Sequence, residues 1–291
     1  MKKLSGFLLS AAAAIVLVSL FFAPTDTALA DDYYYFEVPK QIVEVFWEND
    51  GTVTLKYEIT FKNNPSADPI EWVDLGMPNT SYSLGNASGS VGGHPILAIE
   101  DSPYVSGIAF GLGSNAIPPG RIGVVKLQVT GIEDVLYQDS EDNGYASAVF
   151  SPSWFGSEYT YGSTDYTVIY YLPPGVEPEE PKWHYPSSNF PQEPMSQISG
   201  DGRVMYIWRT TNANSYTQYL FGASFPKTYI PEDAIVTPSF FQVIMDKLGL
   251  TEDDLIGFCV CCGILGFMLG TGWLSVSANN RRKMKYLPPK I

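Results

Sequence analysis

Cysteine is nearly missing from this chain: it has three in 291 residues, at Cys259, Cys261 and Cys262. Three clustered thiols cannot staple a body of this size, so a disulfide framework is excluded. Histidine is scarcer still. His94 and His184 stand alone, with no His-Glu-x-x-His pair, which leaves zinc hydrolysis without its usual ligands. Basic charge is short as well, with 17 Lys and Arg against 31 Asp and Glu, a formal net charge of −14. Phosphate backbones require a basic surface, so nucleic acid is excluded as a partner. Charged residues reach only 16% while aromatics reach 14%, a balance foreign to disordered chains. Also missing are a Gly-x-Ser-x-Gly elbow, a Gly-Lys-Ser/Thr phosphate loop and a Cys nucleophile ahead of residue 259. No catalytic residue, metal ligand set or cofactor is expected.

Two long apolar runs are present. Lys2 and Lys3 precede an apolar stretch from Phe7 to Phe22, and Ala28-Leu29-Ala30 supplies the small residues of a signal-peptidase site. Residues 1–30 therefore read as a signal peptide, either cleaved after Ala30 or kept as an anchor; both outcomes export the region beginning at Asp31. The second run, Leu255 to Val276, has 22 residues and no charge. As a helix it spans about 33 Å, enough for a hydrocarbon core of roughly 30 Å. Glu252, Asp253 and Asp254 precede it; Arg281, Arg282, Lys283 and Lys285 come after it. The positive-inside bias places the tail, 277–291, in the cytoplasm and the body outside a cell membrane crossed once, by a helix spanning 251–276. Residues 31–254 hold 30 acidic and 10 basic side chains, a net of −20.

The exported region, 31–237, reads as all-β. In Thr52 to Lys62, Val53, Leu55, Tyr57, Ile59 and Phe61 alternate with polar partners, the pattern of a half-buried strand. Ile42 to Trp47 precedes it, and Glu48-Asn49-Asp50-Gly51 supplies a hairpin turn. Gly123–Thr130, Thr164–Leu172, Arg203–Thr210 and Tyr216–Phe225 continue the pattern, with weaker candidates at Glu71–Leu75, Ile96–Ile99, Ser106–Gly111 and Tyr145–Phe150. The expectation is an antiparallel, immunoglobulin-like β-sandwich ectodomain followed by a C-terminal single transmembrane α-helix. It forms either one composite sandwich or two halves, 31–135 and 136–237, with the seven prolines of Pro173 to Pro194 as the alternative linker. Residues 238–250 read as a juxtamembrane helix, with Phe240, Phe241, Ile244 and Leu248 on one face.

Binding chemistry is expected from aromatics. Trp154, Tyr159 and Tyr161 crowd a Gly/Ser-rich loop beside Phe155, and Trp183 and Tyr185 lie in the Pro-rich stretch. Such rings stack on sugars, anchor a partner protein, or simply cover the ends of a sandwich. Asp139 to Gly144 spaces oxygen ligands like a calcium loop, but Phe150 occupies the twelfth position, so an acidic turn is the better reading. The glycines between Gly85 and Gly93 read as a flexible loop. In the apolar helix, Gly263, Gly266 and Gly270 form a small-residue seam suited to homodimerisation within the bilayer.

The sequence of signal, β-rich region, membrane helix, basic stop and Tyr286-Leu287-Pro288-Pro289, together with Asp50-Gly51-Thr52 leading into the first long strand, resembles bacterial predicted membrane proteins of unknown function. The resemblance implies a β-sandwich ectodomain ahead of membrane helices; members usually continue well past the Pro-Pro, so the expectation is either a fragment or a shortened relative. It carries over no functional residues. The expected role is non-enzymatic binding or structural spacing at the cell envelope, with an envelope protein or glycan as partner. A carbohydrate-binding module is the alternative, and a glycan hydrolase using paired carboxylates is third.

Overall fold

The computed structural model describes residues 33–186 and 189–236. The expected signal (1–30), juxtamembrane helix (238–250), membrane helix (251–276) and basic tail (277–291) lie outside the described residues. Among the described residues no helix is long and apolar enough to cross a membrane.

The described chain is mostly β-sheet. Its first strands are β1 (Phe36–Trp47), β2 (Val53–Asn63), β3 (Trp72–Gly76), β4 (Ala87–Val91), β5 (His94–Pro95) and β6 (Ala98–Asp101). Next come β7 (Gly107–Gly111), β8 (Ile122–Ile132), β9 (Leu136–Gln138), β10 (Tyr145–Phe150), β11 (Thr160–Tyr161) and β12 (Thr164–Tyr171). The last are β13 (Lys182–Trp183), β14 (Met195–Ile198), β15 (Val204–Ala213), β16 (Phe221–Pro226) and β17 (Ile235–Val236). The large sheet runs β14-β15-β12-β1-β2-β8-β4-β5, with β11 added beside β1. Two smaller sheets run β13-β16-β10-β9-β17 and β3-β7-β6.

Alternation sets the inward face of the large sheet. Val53, Leu55, Tyr57, Ile59 and Phe61 of β2 are all buried, as are Val125, Leu127 and Val129 of β8. The hairpin forms as expected: β1 and β2 pair from Trp47↔Val53 outward. Asp50 Oδ1 accepts hydrogen bonds from the Thr52 amide and hydroxyl at 3.0 and 2.8 Å, closing the turn. Gly51 sits there at φ +85°, with no room for a side chain against Ala234.

Aromatic rings fill the space beneath. Tyr166, Phe190, Tyr219 and Phe221 meet edge-to-face with ring centroids 4.9 to 5.8 Å apart. Phe36, Phe61 and Phe155 form a separate edge-to-face triangle. These contacts add to apolar burial and hold together a core that uses no disulfide. Inward residues of all three sheets belong to one hydrophobic cluster.

The structure departs from the expected antiparallel, immunoglobulin-like plan in three places. First, β1 and β12 pair in parallel, from Lys40↔Asp165 to Phe46↔Tyr171, so the large sheet is mixed and three sheets form where two were expected. The long intervening chain supplies the crossover that a parallel pair requires. This ladder also joins the segments before and after residue 135, and Pro181 in the Pro-rich stretch is tied to the body by the Tyr206 hydroxyl at 2.8 Å. Second, the Gly85–Gly93 stretch is not a loop throughout. It holds β4, which pairs with β8, and Gly89 lets the strands approach: a Cβ there would lie 2.9 Å from Leu127 Cδ2. Third, Tyr216–Leu220 is not strand: a turn ends at Tyr216 and the chain to Leu220 is irregular, with Tyr219 buried in the core and its hydroxyl accepting the Asn214 amide at 3.1 Å.

Candidate functional site

The aromatics singled out in the sequence fall into two separate groups. Tyr161 is carried by β11, paired with Glu37 of β1. Its ring stacks on Tyr35 at 4.4 Å, and Tyr35 in turn stacks on Tyr33 at 6.1 Å. The Tyr159 carbonyl accepts the Phe36 amide at 2.9 Å, which fixes that residue at the start of β1. Trp154 lies between two anchored neighbours. The Ser153 amide donates to the Tyr57 hydroxyl, and the Phe155 amide donates to the Ser215 carbonyl. Tyr33, Trp154 and Tyr159 are 53%, 48% and 44% exposed. Phe155, from the same loop, is instead packed on Phe36 and Phe61.

Trp183 and Tyr185 belong elsewhere. Trp183 lies edge-on to Tyr206 at 6.0 Å, and Tyr206 pairs across β12 with Tyr170, which pairs with Val45. Glu37 and Val45 are eight residues apart on β1, which places the two groups roughly 25 Å apart along the sheet. They do not converge on one surface. Trp183 closes an edge of the core, while Tyr185 is almost fully exposed.

The small sheet holds a polar cluster that the sequence did not reveal. The Ser224 hydroxyl donates to Asp139 Oδ2, and His184 Nε2 lies 2.8 Å from the same serine oxygen. Because the serine proton goes to Asp139, Nε2 is the nitrogen that carries hydrogen in neutral His184. Asp139 Oδ1 also accepts the amides of Glu141 and Asp142 at 2.9 and 2.8 Å. Asp142 accepts Lys182 at 2.9 Å, and the Lys182 ammonium lies 4.0 Å from the centre of the Tyr145 ring. The acidic turn thus spends two of its three carboxylates, Asp139 and Asp142, on protein donors.

Burial pushes the His184 imidazole below its ordinary pKa, against the pull of Asp139 and Glu141. Burial acts on Asp139 in the opposite sense, but the Ser224 hydroxyl and two backbone amides prevail and hold its carboxyl below the usual range. Ser224 is 1% exposed. A catalytic serine is linked through histidine to the acid and faces solvent. Here the serine is in the middle and covered, so the group ties strands together. Its members are 85 and 40 positions apart, and no local motif could have announced them. His94 lies apart from them, beside a shallow open cleft of about 300 Å³ lined also by Val91, Ile117 and Ile122.

No protein-family profile matches the chain. No curated protein matches it either. Among solved structures, it is similar to an M1 zinc metallopeptidase from Deinococcus radiodurans, with TM-score 0.42 and 12% identity over 67% of this chain and 43% of that one. A two-domain M1 zinc metallopeptidase mutant bound to L-arginine gives TM-score 0.43 at 11% identity, over 66% of this chain and 43% of that one. The chain spans less than half the length of these structures.

Proposed function

We propose that the chain is a membrane-anchored, extracytoplasmic protein whose β-rich body has a binding or structural role at the cell envelope and no enzymatic one. The observation that supports the non-enzymatic reading is that Ser224, the serine beside His184 and Asp139, is buried with its hydroxyl committed to Asp139 and so is not presented to solvent as a nucleophile. Export and anchoring rest on sequence: the apolar runs at 7–22 and 255–276 and the basic residues after the second. The bilayer is then the first partner, through residues 255–276. Gly263, Gly266 and Gly270 are the proposed seam for pairing of two copies within it.

Protease treatment of intact cells tests the topology. Digestion of the body with protection of 277–291 is the expected pattern; the reverse overturns the reading.

A further inference from the structure

We propose that the outward face of the large sheet pairs the body with a second copy of itself. Strand register places an apolar strip there in two adjoining rows. Met195, Ile207 and Ile169 are direct neighbours on β14, β15 and β12; Met205, Tyr171 and Phe46 are direct neighbours on β15, β12 and β1. The residues alternating with them, Val45, Tyr170, Tyr206 and Trp208, are buried on the core side, so the strip faces away from the core. Phe46 and Tyr171 stack with ring centroids 4.0 Å apart and 9° between planes. Met195, on the strand that ends the sheet, is 60% exposed, and the other five are half-buried.

Charge selects the occupant. Residues 31–254 hold 30 acidic and 10 basic side chains, so two bodies repel along most approaches. The outward face is the exception. Its strands β15, β12, β1, β2 and β8 carry five basic and four acidic side chains, a net of +1, and strand register puts all nine outward. Glu58 is neutralised there by Lys126 at 2.9 Å and Lys40 at 3.8 Å, and Asp165 by Arg209 at 2.8 Å. A balanced face attracts neither a polyanion nor a polycation, and it removes the repulsion that keeps copies apart. Extent agrees. Those five strands have 8 to 12 residues each. They make a face of roughly 24 Å by 30 Å, near the roughly 800 Å² that each partner buries in an interface of standard size. A two-fold axis through the strip lays it on its own copy, the closed arrangement of a symmetric dimer. Every residue of the face lies among the described residues, and its pairing does not depend on the seam in the bilayer.

The test uses the full chain in membranes, with Cys259, Cys261 and Cys262 replaced by serine and one new cysteine for a short bismaleimide crosslinker. Ile207→Cys should yield crosslinked dimer well above the yield of Tyr185→Cys, an exposed position beyond the end of β13 in a smaller sheet. Adding Met195→Glu should cut the Ile207 crosslink about tenfold, because pairing would then bury an unpaired carboxylate. Ile169→Glu, nearer the middle of the strip, should cut it at least as far. Thermal melting shows that each variant folds, and Met195→Glu, at an exposed position, keeps the test valid should Ile169→Glu unfold. Dimer yield no higher from Ile207→Cys than from Tyr185→Cys overturns the proposal. So does an Ile207 crosslink that Met195→Glu leaves unchanged, or one made to a different protein. Tyr185→Cys reports copies brought together by any other contact, so failure of the bilayer seam, or of the topology that protease treatment reads, is distinguishable from failure of the face.

Discussion

Ser224 and Asp139, 85 positions apart, are joined by a hydrogen bond from a buried hydroxyl to a largely buried carboxylate. Through that bond the acidic turn at 139–144 is fastened to β16. Through His184 the serine also holds the end of β13, whose ladder with β16 is only two residues long.

Acid should loosen this fastening. The folded-state pKa of His184 lies below its ordinary 6.5, so the unfolded chain takes up a proton first and stability falls as pH drops below about 6.5. Asp139 is also depressed, below 3.8, and its contribution is present at neutral pH and lost as pH falls through the folded value. Melting temperature measured from pH 8 to pH 5 should decline, and His184→Gln should flatten the decline between 6.5 and 5. An unchanged slope in that variant would assign the acid sensitivity to other groups.

Ser224→Ala should destabilise the fold by about 1–3 kcal/mol, because Asp139 loses a donor while remaining buried. Chemical denaturation at pH 7 measures the loss. Retention of wild-type stability would show that water replaces the hydroxyl.

Gly51→Ala should cost about 2 kcal/mol or more. The residue holds φ +85°, and its new Cβ would fall 2.2 Å from Ala234 Cβ. Because that contact ties the β1–β2 turn to the segment before β17, hydrogen exchange at Ile235 and Val236 should rise together with exchange at the turn. Loss confined to the turn would mean that Ala234 moves aside freely.

The hairpin was legible in the sequence because one face of β2 is buried and its apolar residues alternate without a break. The same holds for β8 and β12, whose inward residues are Val125, Leu127, Val129, Tyr166, Val168 and Tyr170. β4 was not legible: Ala87 to Val91 contributes mostly small side chains, and its strand character comes from the ladder with β8. The parallel β1/β12 pairing left no trace either. Alternation reports which face is buried but not the direction of the neighbour. Of the aromatic residues expected to bind, Trp154, Tyr159, Trp183 and Tyr185 are exposed while Tyr161 is half-buried, a difference that loop composition does not encode. Nor does it encode their separation into two groups, which depends on where β11 and β13 pair.

Gln41 offers the opposite pH signature to His184. It is 1% exposed, and its Nε2 donates to the Tyr166 hydroxyl at 3.0 Å and the Ser153 carbonyl at 3.4 Å. Ser153 in turn donates its amide to Tyr57 at 3.3 Å and its hydroxyl to the Gly76 carbonyl at 3.2 Å, so Gln41 lies within a polar thread linking β1, β2, β3 and β12. Gln41→Glu would put a carboxylate where a donor is needed, and neither hydrogen-bond partner of the Gln41 amide is a cation. Burial would raise the pKa of the new group above that of an unfolded Glu, so its protonated form is favoured in the folded state. The variant should therefore lose about 3 kcal/mol or more at pH 7 and recover much of it as pH falls toward 4, where the carboxyl can donate again. Denaturation midpoints at the two pH values, each referred to the unsubstituted chain, measure the recovery. A penalty equal at both would place the replaced side chain in contact with water, contrary to the burial of Gln41.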